Sequence, residues 1–365
     1  MHFLRNFLPA ILACLLCGSG VAQSNKKLDP DAGYIPVVAP EDKKKKKGDE
    51  ITQALAAPPE LPAAVTAETD RLTYQVTPLS SKGLLSQQTR DALKILLKSN
   101  RGPVVKLRAF VAGSGDLRRI GEIVGEMFQE KHLALPALSV VQVGALPLVG
   151  AQVVIEATEV DRKVVNPNGV AFVVGQASAS VGESIEKLKS VLAGAGMQAD
   201  DALAITCFVS SLDDQRDTQR AMAASFPGAA LDYVQMQRSP VMPAANCEAV
   251  ARLRSTNAGN SQVAMVVGPQ VVITGTQLAF GSQDSDFKLA FERLEKTLAG
   301  ARTGFAHVVR THLYVTASGL GSRVLAIQSA QTDASSARAA TLVPIESLPS
   351  LDAMLGIDVI AVPGR

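Results

Sequence analysis

The chain has 365 residues, nearly half apolar, with no Trp and few aromatics, so its cores must be built from Ala, Val, Leu and Ile. That length accommodates two or three ordinary domains. A formal charge of +2, much of it from one Lys run, excludes a general electrostatic pull on nucleic acid. No basic stripe interleaved with stacking aromatics is visible either.

His2 and Arg5 precede an apolar stretch, Phe7 to Leu16, and small residues end at Gly20-Val21-Ala22. This pattern reads as a secretory signal over 1–22, cleaved after Ala22 and too short to span a bilayer. The expected address is secreted, in a bacterial periplasm, with no membrane span. A lipoprotein would need a small residue before its Cys; Cys17 follows Leu16, and Cys14 sits too early. Cleavage removes both and leaves Cys207 and Cys247, which in an oxidising compartment pair or else remain buried core thiols; the sequence leaves both readings open. Apart from Cys14-Leu15-Leu16-Cys17 within the signal, no CxxC or Cys/His cluster occurs, so neither a metal nor another cofactor is expected.

Residues 23–71 read as a tether. Lys43 to Lys47 lie between Glu41-Asp42 and Asp49-Glu50, and a Pro/Ala stretch, Ala56 to Pro62, follows. Such composition buries too little apolar surface to offset chain entropy. A solvated spacer is a better account of the Lys run than docking on anionic lipid.

From Leu72 the pattern predicts a first unit over 72–160. It has helices at Asp91–Leu97 and Asp116–Glu130 and strands at Val104–Ala112, Ser139–Val143 and Ala151–Thr158. Leu117, Ile120, Val124 and Met127 recur at helical spacing and place one apolar face against a sheet. The second unit, 161–257, opens with an expected hairpin, Lys163–Val165 and Val170–Gln176, about Asn166-Pro167-Asn168-Gly169. A helix at Gly182–Ala193, a strand at Leu203–Val209, a helix at Asp213–Ser225 and strands at Asp232–Met236 and Cys247–Leu253 follow. The third unit, 258–365, opens with a second expected hairpin, Val263–Val267 and Val271–Gln277, about Gly268-Pro269. Helix Asp286–Leu298, strand Val308–Thr316, helix Arg323–Gln331 and strands Ala340–Ile345 and Gly356–Val362 complete it.

The last two units repeat one another. Leu188–Ser211 aligns without a gap to Leu294–Ala317, 106 positions later, and Leu188, Leu192, Ala193, Gly194, Ala195 and Val209 meet identical residues. A weaker copy places Leu107–Val111 against Ile205–Val209. Self-similarity at a period near one hundred residues means that the fold is to be sought unit by unit, as an α+β β-β-α-β-α-β-β layer.

This order, with several local strings, resembles the RidA (YjgF, or L-PSP endoribonuclease-like) family over residues 72–363. Ala202–Ser211 and Val308–Ala317 resemble one family strand. Val174-Gly175-Gln176 and Thr274-Gly275-Thr276-Gln277 resemble its early strand end. Ile155-Glu156-Ala157, Cys247-Glu248-Ala249 and Ile357-Asp358-Val359 resemble its closing segment. The resemblance implies chorismate-mutase-like units that normally trimerise about a central β-barrel, with ligand clefts between neighbours. Three copies in one chain would then make a monomeric pseudo-trimer.

The family's enzymes hydrolyse 2-imino acids or enamines to 2-keto acids and ammonia, with an Arg clamping the substrate carboxylate through two parallel hydrogen bonds. By resemblance, Leu138 in the first unit and Ala229 in the second stand where that Arg belongs, and Arg338 alone keeps it. The water-holding backbone carbonyl falls at Ala340, and Gly175, Gly275 and Thr276 are the matching ligand-binding positions. The family's Glu falls at Val154, Asn246 and Gly356, so the water-activating acid is lost. The recurring Glu156, Glu248 and Asp358 are better explained by salt bridging between repeats, or as solvent-facing strand residues, than as three acid catalysts, because no His or Lys motif keeps a fixed spacing to them. Two readings follow. The first is a secreted pseudo-trimer that binds a small carboxylate, such as a 2-imino or 2-keto acid, or a partner at an inter-domain cleft, with catalysis reduced or lost. The second is an imine/enamine deaminase with one working cleft at Arg338.

Overall fold

In the computed structural model, residues 57–238, 244–256, 262–331 and 339–364 are described. Among them the strands form three separate sheets. The chain enters through β1 (Ala64–Glu68) and a 3-10 turn, then β2 (Leu72–Val76), α1 (Leu85–Ser99), β3 (Val104–Ala112), α2 (Arg118–Glu130), β4 (Ala137–Val143) and β5 (Val153–Val160). The first sheet has the order β2-β5-β3-β4. Next come β6 (Val170–Ser178), α3 (Val181–Gly194), β7 (Ala202–Val209), α4 (Gln215–Ser225), β8 (Ala230–Gln235), β9 (Ala245–Arg252) and β10 (Val263–Val266). They build the second sheet, β10-β6-β9-β7-β8. The remainder is β11 (Gln270–Thr274), β12 (Gln277–Phe280), α5 (Asp284–Gly300), β13 (Val308–Val315), α6 (Gly321–Gln331), β14 (Ala339–Pro344) and β15 (Ala353–Ala361). The third sheet runs β1-β11-β15-β13-β14, with β12 also on β15.

The centre of each sheet repeats one pattern. β3, β7 and β13 each pair in parallel with the strand that follows the second helix and antiparallel with the closing strand. Register therefore places Arg108, Thr206 and His312 at one position, opposite Glu156, Glu248 and Asp358. Period-two alternation sends these side chains to one face and Leu107, Ile205 and Leu313 among the residues of the other. On the helix face, Ile120, Ile123, Val124, Met127 and Phe128 of α2 cover the first sheet, and equivalent clusters lie under α3 and under α5 with α6. Ser180 caps α3 by accepting the Glu183 N–H at 3.2 Å, which settles where that helix starts.

The leading strands depart from the expected hairpins. Val263–Val266 does not fold back on β11; it pairs antiparallel with β6 of the second sheet. β11 instead takes β1 as its outer neighbour, Ala64 opposite Thr274 through Glu68 opposite Gln270. Residues 163–165 form no strand, and the Val165 and Asn166 N–H groups donate to the Asp70 carbonyl. The span read as a tether consequently ends earlier, since Ala64–Glu68 is a sheet strand rather than linker. The physical reason is tertiary. Val170, Phe172, Ala264, Val266, Val271 and Ile273 form one buried apolar cluster shared by two sheets, and a local hairpin would expose part of it.

The faces turned away from the helices meet in shared clusters. Phe110, Phe208 and Tyr314, from equivalent positions of β3, β7 and β13, are fully buried together with Val141, Val234 and Val343. Phe110 and Phe208 pack edge-to-face with centroids 5.9 Å apart. Isolated bridges between Gln142 and Ser347 and between Ala145 and Gln235 add backbone contacts among the sheets. The described residues accordingly form one compact unit.

Cys207 and Cys247, left open by the sequence, are joined by a disulfide between directly opposed residues of β7 and β9, both fully buried. The Cys247 N–H also donates to Ser184 Oγ of α3 at 2.9 Å. A bridge closing a loop of this length stabilises a fold by about 2–4 kcal/mol. The Cys207→Ala/Cys247→Ala double variant should therefore unfold at lower urea concentration, by about that free energy. An unchanged midpoint would mean that the native thiols are unpaired.

Candidate functional site

The polar positions of the three central strands converge on a cavity of about 70 Å3 lined by Lys106, Arg108, Glu156, Glu248, Arg310, His312 and Asp358 among others. Arg108 is its hub. It donates from Nε to Glu156 Oε2 at 2.6 Å within its own sheet, and from NH2 to Thr206 Oγ1 of the second sheet at 2.9 Å. Its NH1 lies 3.4 Å from Glu248 Oε1 and 3.0 Å from His312 Nε2, reaching the second and third sheets. Arg310 pairs with Glu248, and Lys106 donates at 2.6 Å to both Ser139 Oγ and the Thr274 carbonyl. The His312 ring spans Asp358 Oδ1 at 2.8 Å and Glu248 Oε1 at 3.0 Å.

Burial alone would push the Asp358 carboxyl up, but Lys106 and His312 outweigh it and hold the group well below the usual carboxylate range. Glu248 behaves in the same way, with burial opposed by Arg310, His312 and Arg108. Buried charges of this kind are tolerated only when paired, and removing one partner strands the others. The recurring acids are thus salt-bridge partners between sheets, and the alternative of solvent-facing strand residues fails because Glu248 and Asp358 are buried. The missed residues were the bases: Lys106 and Arg310, and Arg108 and His312, sit at matched places in otherwise apolar strands. A polar residue recurring inside a buried strand was the available signal.

The clefts between sheets differ. In the first, about 280 Å3, Leu138 of β4 faces Gly275 and Thr276. The Thr276 N–H donates to the Leu138 carbonyl at 3.1 Å, and the Gly275 N–H to the Ala63 carbonyl at 2.9 Å. A Cβ on Gly275 would stand 2.9 Å from the Leu138 oxygen, so glycine permits the approach. Leu61, Pro62 and Ala63 line this cleft as well. A second cleft, about 530 Å3, lies between β2 of the first sheet and β8 of the second, with Asp232 and Arg216 in its wall. At the edge joining β6 to β14, the Gly175 N–H donates to Thr341 Oγ1 at 3.2 Å.

Arg338 lies outside the described residues. Ala340 is on β14, half-buried and paired with Thr311. The structure brings β14 to Gly175, whereas Gly275 and Thr276 meet Leu138; the candidate ligand-binding positions are thus divided between two sheet junctions. Register also corrects one alignment. Ala137, Ala230 and Ala339 are equivalent, which makes Pro136, not Leu138, the counterpart of Ala229 and Arg338. Val154, Asn246 and Gly356 do share one position, opposite Phe110, Phe208 and Tyr314. Among the described residues there is no cluster of three His, Cys, Asp or Glu side chains placed to hold a metal ion, and no helix long and apolar enough to cross a membrane.

No family model matches the chain, and no curated protein does. Among solved structures, the chain is similar to a YjgF-family protein from Neisseria meningitidis at 16% identity and a TM-score of 0.25, over 26% of this chain and 81% of that one. It is also similar to a member of the YjgF/YER057c/UK114 family from Mycobacterium tuberculosis, at 22% identity and a TM-score of 0.24, over 27% and 81% of the two chains. Yeast Mmf1 matches at 19% identity and a TM-score of 0.24, over 26% and 80%.

Two outcomes follow from the buried charges. Arg108→Met leaves Glu156 and Glu248 undercompensated and should cost about 3–5 kcal/mol in a denaturant titration; a loss below about 1 kcal/mol would mean that the network is solvated. The pH profile carries two opposite limbs. Glu248 and Asp358 have depressed folded values, so their contribution is present above the ordinary carboxylate range and lost as pH falls through it. Glu159 is pushed by burial to about 7 from 4.5, so stability should decline as pH rises between those values. Glu159→Gln should make that decline shallower and leave the acid limb in place, as read from melting temperature against pH.

Proposed function

We propose that this chain is a covalent pseudo-trimer of three RidA-like units closed about a shared barrel, binding a small carboxylate such as a 2-keto acid at an inter-unit cleft, with deaminase catalysis reduced or lost. The observation that carries this reading is that the three equivalent positions Val154, Asn246 and Gly356 hold no acid, while Glu156, Glu248 and Asp358 are committed to the buried network. By the resemblance, hydrolysis of a C=N bond would need a water-activating carboxylate at that shared position. Arg338 is the one Arg at its aligned position and remains the proposed carboxylate clamp, with the Ala340 carbonyl, two residues on in sequence, as the proposed water holder. The buried disulfide supports an oxidising, extracytoplasmic setting, in keeping with the N-terminal signal pattern.

Linking the units places them at high effective concentration and removes any concentration threshold for assembly. A purified mature chain should run as a monomer by light scattering. Mixed with a freshly generated 2-imino acid, it should release ammonia no faster than buffer. Its melting temperature should rise with a 2-keto acid, and Arg338→Ala should abolish that rise, because a ligand that prefers the folded state stabilises it. Ammonia release that exceeds the blank and is lost in Arg338→Ala would establish the deaminase reading instead. Neither ligand shift nor turnover would remove both.

A further inference from the structure

The charged interior contains one carboxylate more than its Lys and Arg side chains match. Lys106, Arg108 and Arg310 face Glu156, Glu248 and Asp358. The fourth acid is Asp232, beside Glu156 at the edge of the network. His312 does not serve it, because both ring nitrogens are directed to Asp358 and Glu248. Register explains the imbalance. Position 204 is equivalent to 106 and 310, so Ala204 stands where the other two sheets carry Lys106 and Arg310. Asp232 is equivalent to Ser139 and Thr341, so the second sheet has gained an acid and has no cation at the same level.

Asp232 is also where the interior reaches a cleft. It is 5% exposed, Oδ2 has no hydrogen-bond partner among the described residues, and the side chain lines the 530 Å3 space between the first and second sheets. The surrounding wall mixes apolar Val76, Leu79, Pro147 and Val154 with polar Thr77, Gln215 and Gln219, and the exposed Arg216 also lines the space. Arg216 has no ion-pair partner among the described residues. Burial, then the neighbouring Glu156 carboxylate, keep the Asp232 proton on well above the ordinary range.

We propose that this cleft binds a small primary ammonium ion with an apolar body, its charge pairing with Asp232 and supplying the cation that the second sheet lacks. The exchange is balanced: R–NH3+ enters, the Asp232 carboxyl becomes a carboxylate paired with it, and one proton leaves to buffer. An amino acid would in addition offer a carboxylate to Arg216. The two sources of the same ammonium chemistry are separated by comparing isoamylamine with leucine.

Isothermal titration of the full mature chain at neutral pH, in phosphate and in HEPES, reads both affinity and proton release. The expected result is saturable binding with a buffer-dependent heat equivalent to about one proton released. Asp232→Asn should abolish that release and weaken binding at least about tenfold. Ala204→Lys supplies the cation internally; it should eliminate amine binding while raising the melting temperature, which separates loss of a site from loss of fold. Arg216→Ala should weaken leucine and leave isoamylamine unchanged if the ligand is an amino acid; equal affinities for both probes assign the site to simple amines. No saturable heat with either probe in the wild type, or equal binding by Asp232→Asn, overturns the proposal. Such a failure leaves the Arg338 reading intact, since the two clefts share no proposed ligand contact.

Discussion

One buried guanidinium holds the rest of the architecture in place. Arg108 reaches Glu156 in its own sheet, Thr206 and Glu248 in the second, and His312 and Tyr314 in the third. No rotamer could satisfy so many acceptors unless all three sheets were assembled. Opening the interior would leave carboxylates and cations unpaired in a region that water reaches poorly, which costs several kcal/mol per stranded charge. The charged layer therefore acts less as adhesive than as a registration device. Apolar clusters supply the driving force, and the ion pairs reject any arrangement in which β3, β7 and β13 slide relative to one another.

Covalent linkage makes the asymmetry of that interior possible. Three identical chains would repeat any substitution three times, whereas here each level of the interior is filled by unlike residues. Lys106, Ala204 and Arg310 share one level; Arg108, Thr206 and His312 share the next. Charges are balanced across sheets rather than within them. The clefts differ as well, one lined by the Leu61–Ala63 segment and another by Asp232. A single chain can carry clefts of different chemistry, and the equivalent positions Val154, Asn246 and Gly356 are likewise unlike one another.

Much of the local structure was legible from residue order. Helical spacing of Leu117, Ile120, Val124 and Met127 located α2, and β3 spans the same residues that its apolar run indicated. The early helix was underread, because Leu85 and Leu96 bracket a polar stretch that continues the same face. The recurrence of Glu156, Glu248 and Asp358 marked a shared structural level, and the network confirms it. The bases that answer them were passed over, since a lone Lys or Arg within an apolar strand looks like a solvated edge until its partners on other sheets are known.

By itself, the amino-acid order determined where strands and helices lie, which face of each is apolar, and that similar stretches recur, because these depend on periodicities of two to four residues. Tertiary structure alone decided that β1 and β10 join sheets other than the ones their turns point to, that Leu138 meets Thr276, and that Cys207 pairs with Cys247. Those outcomes rest on contacts between residues far apart in the chain, whose energy comes from burying a common interior, and no local pattern encodes the partner.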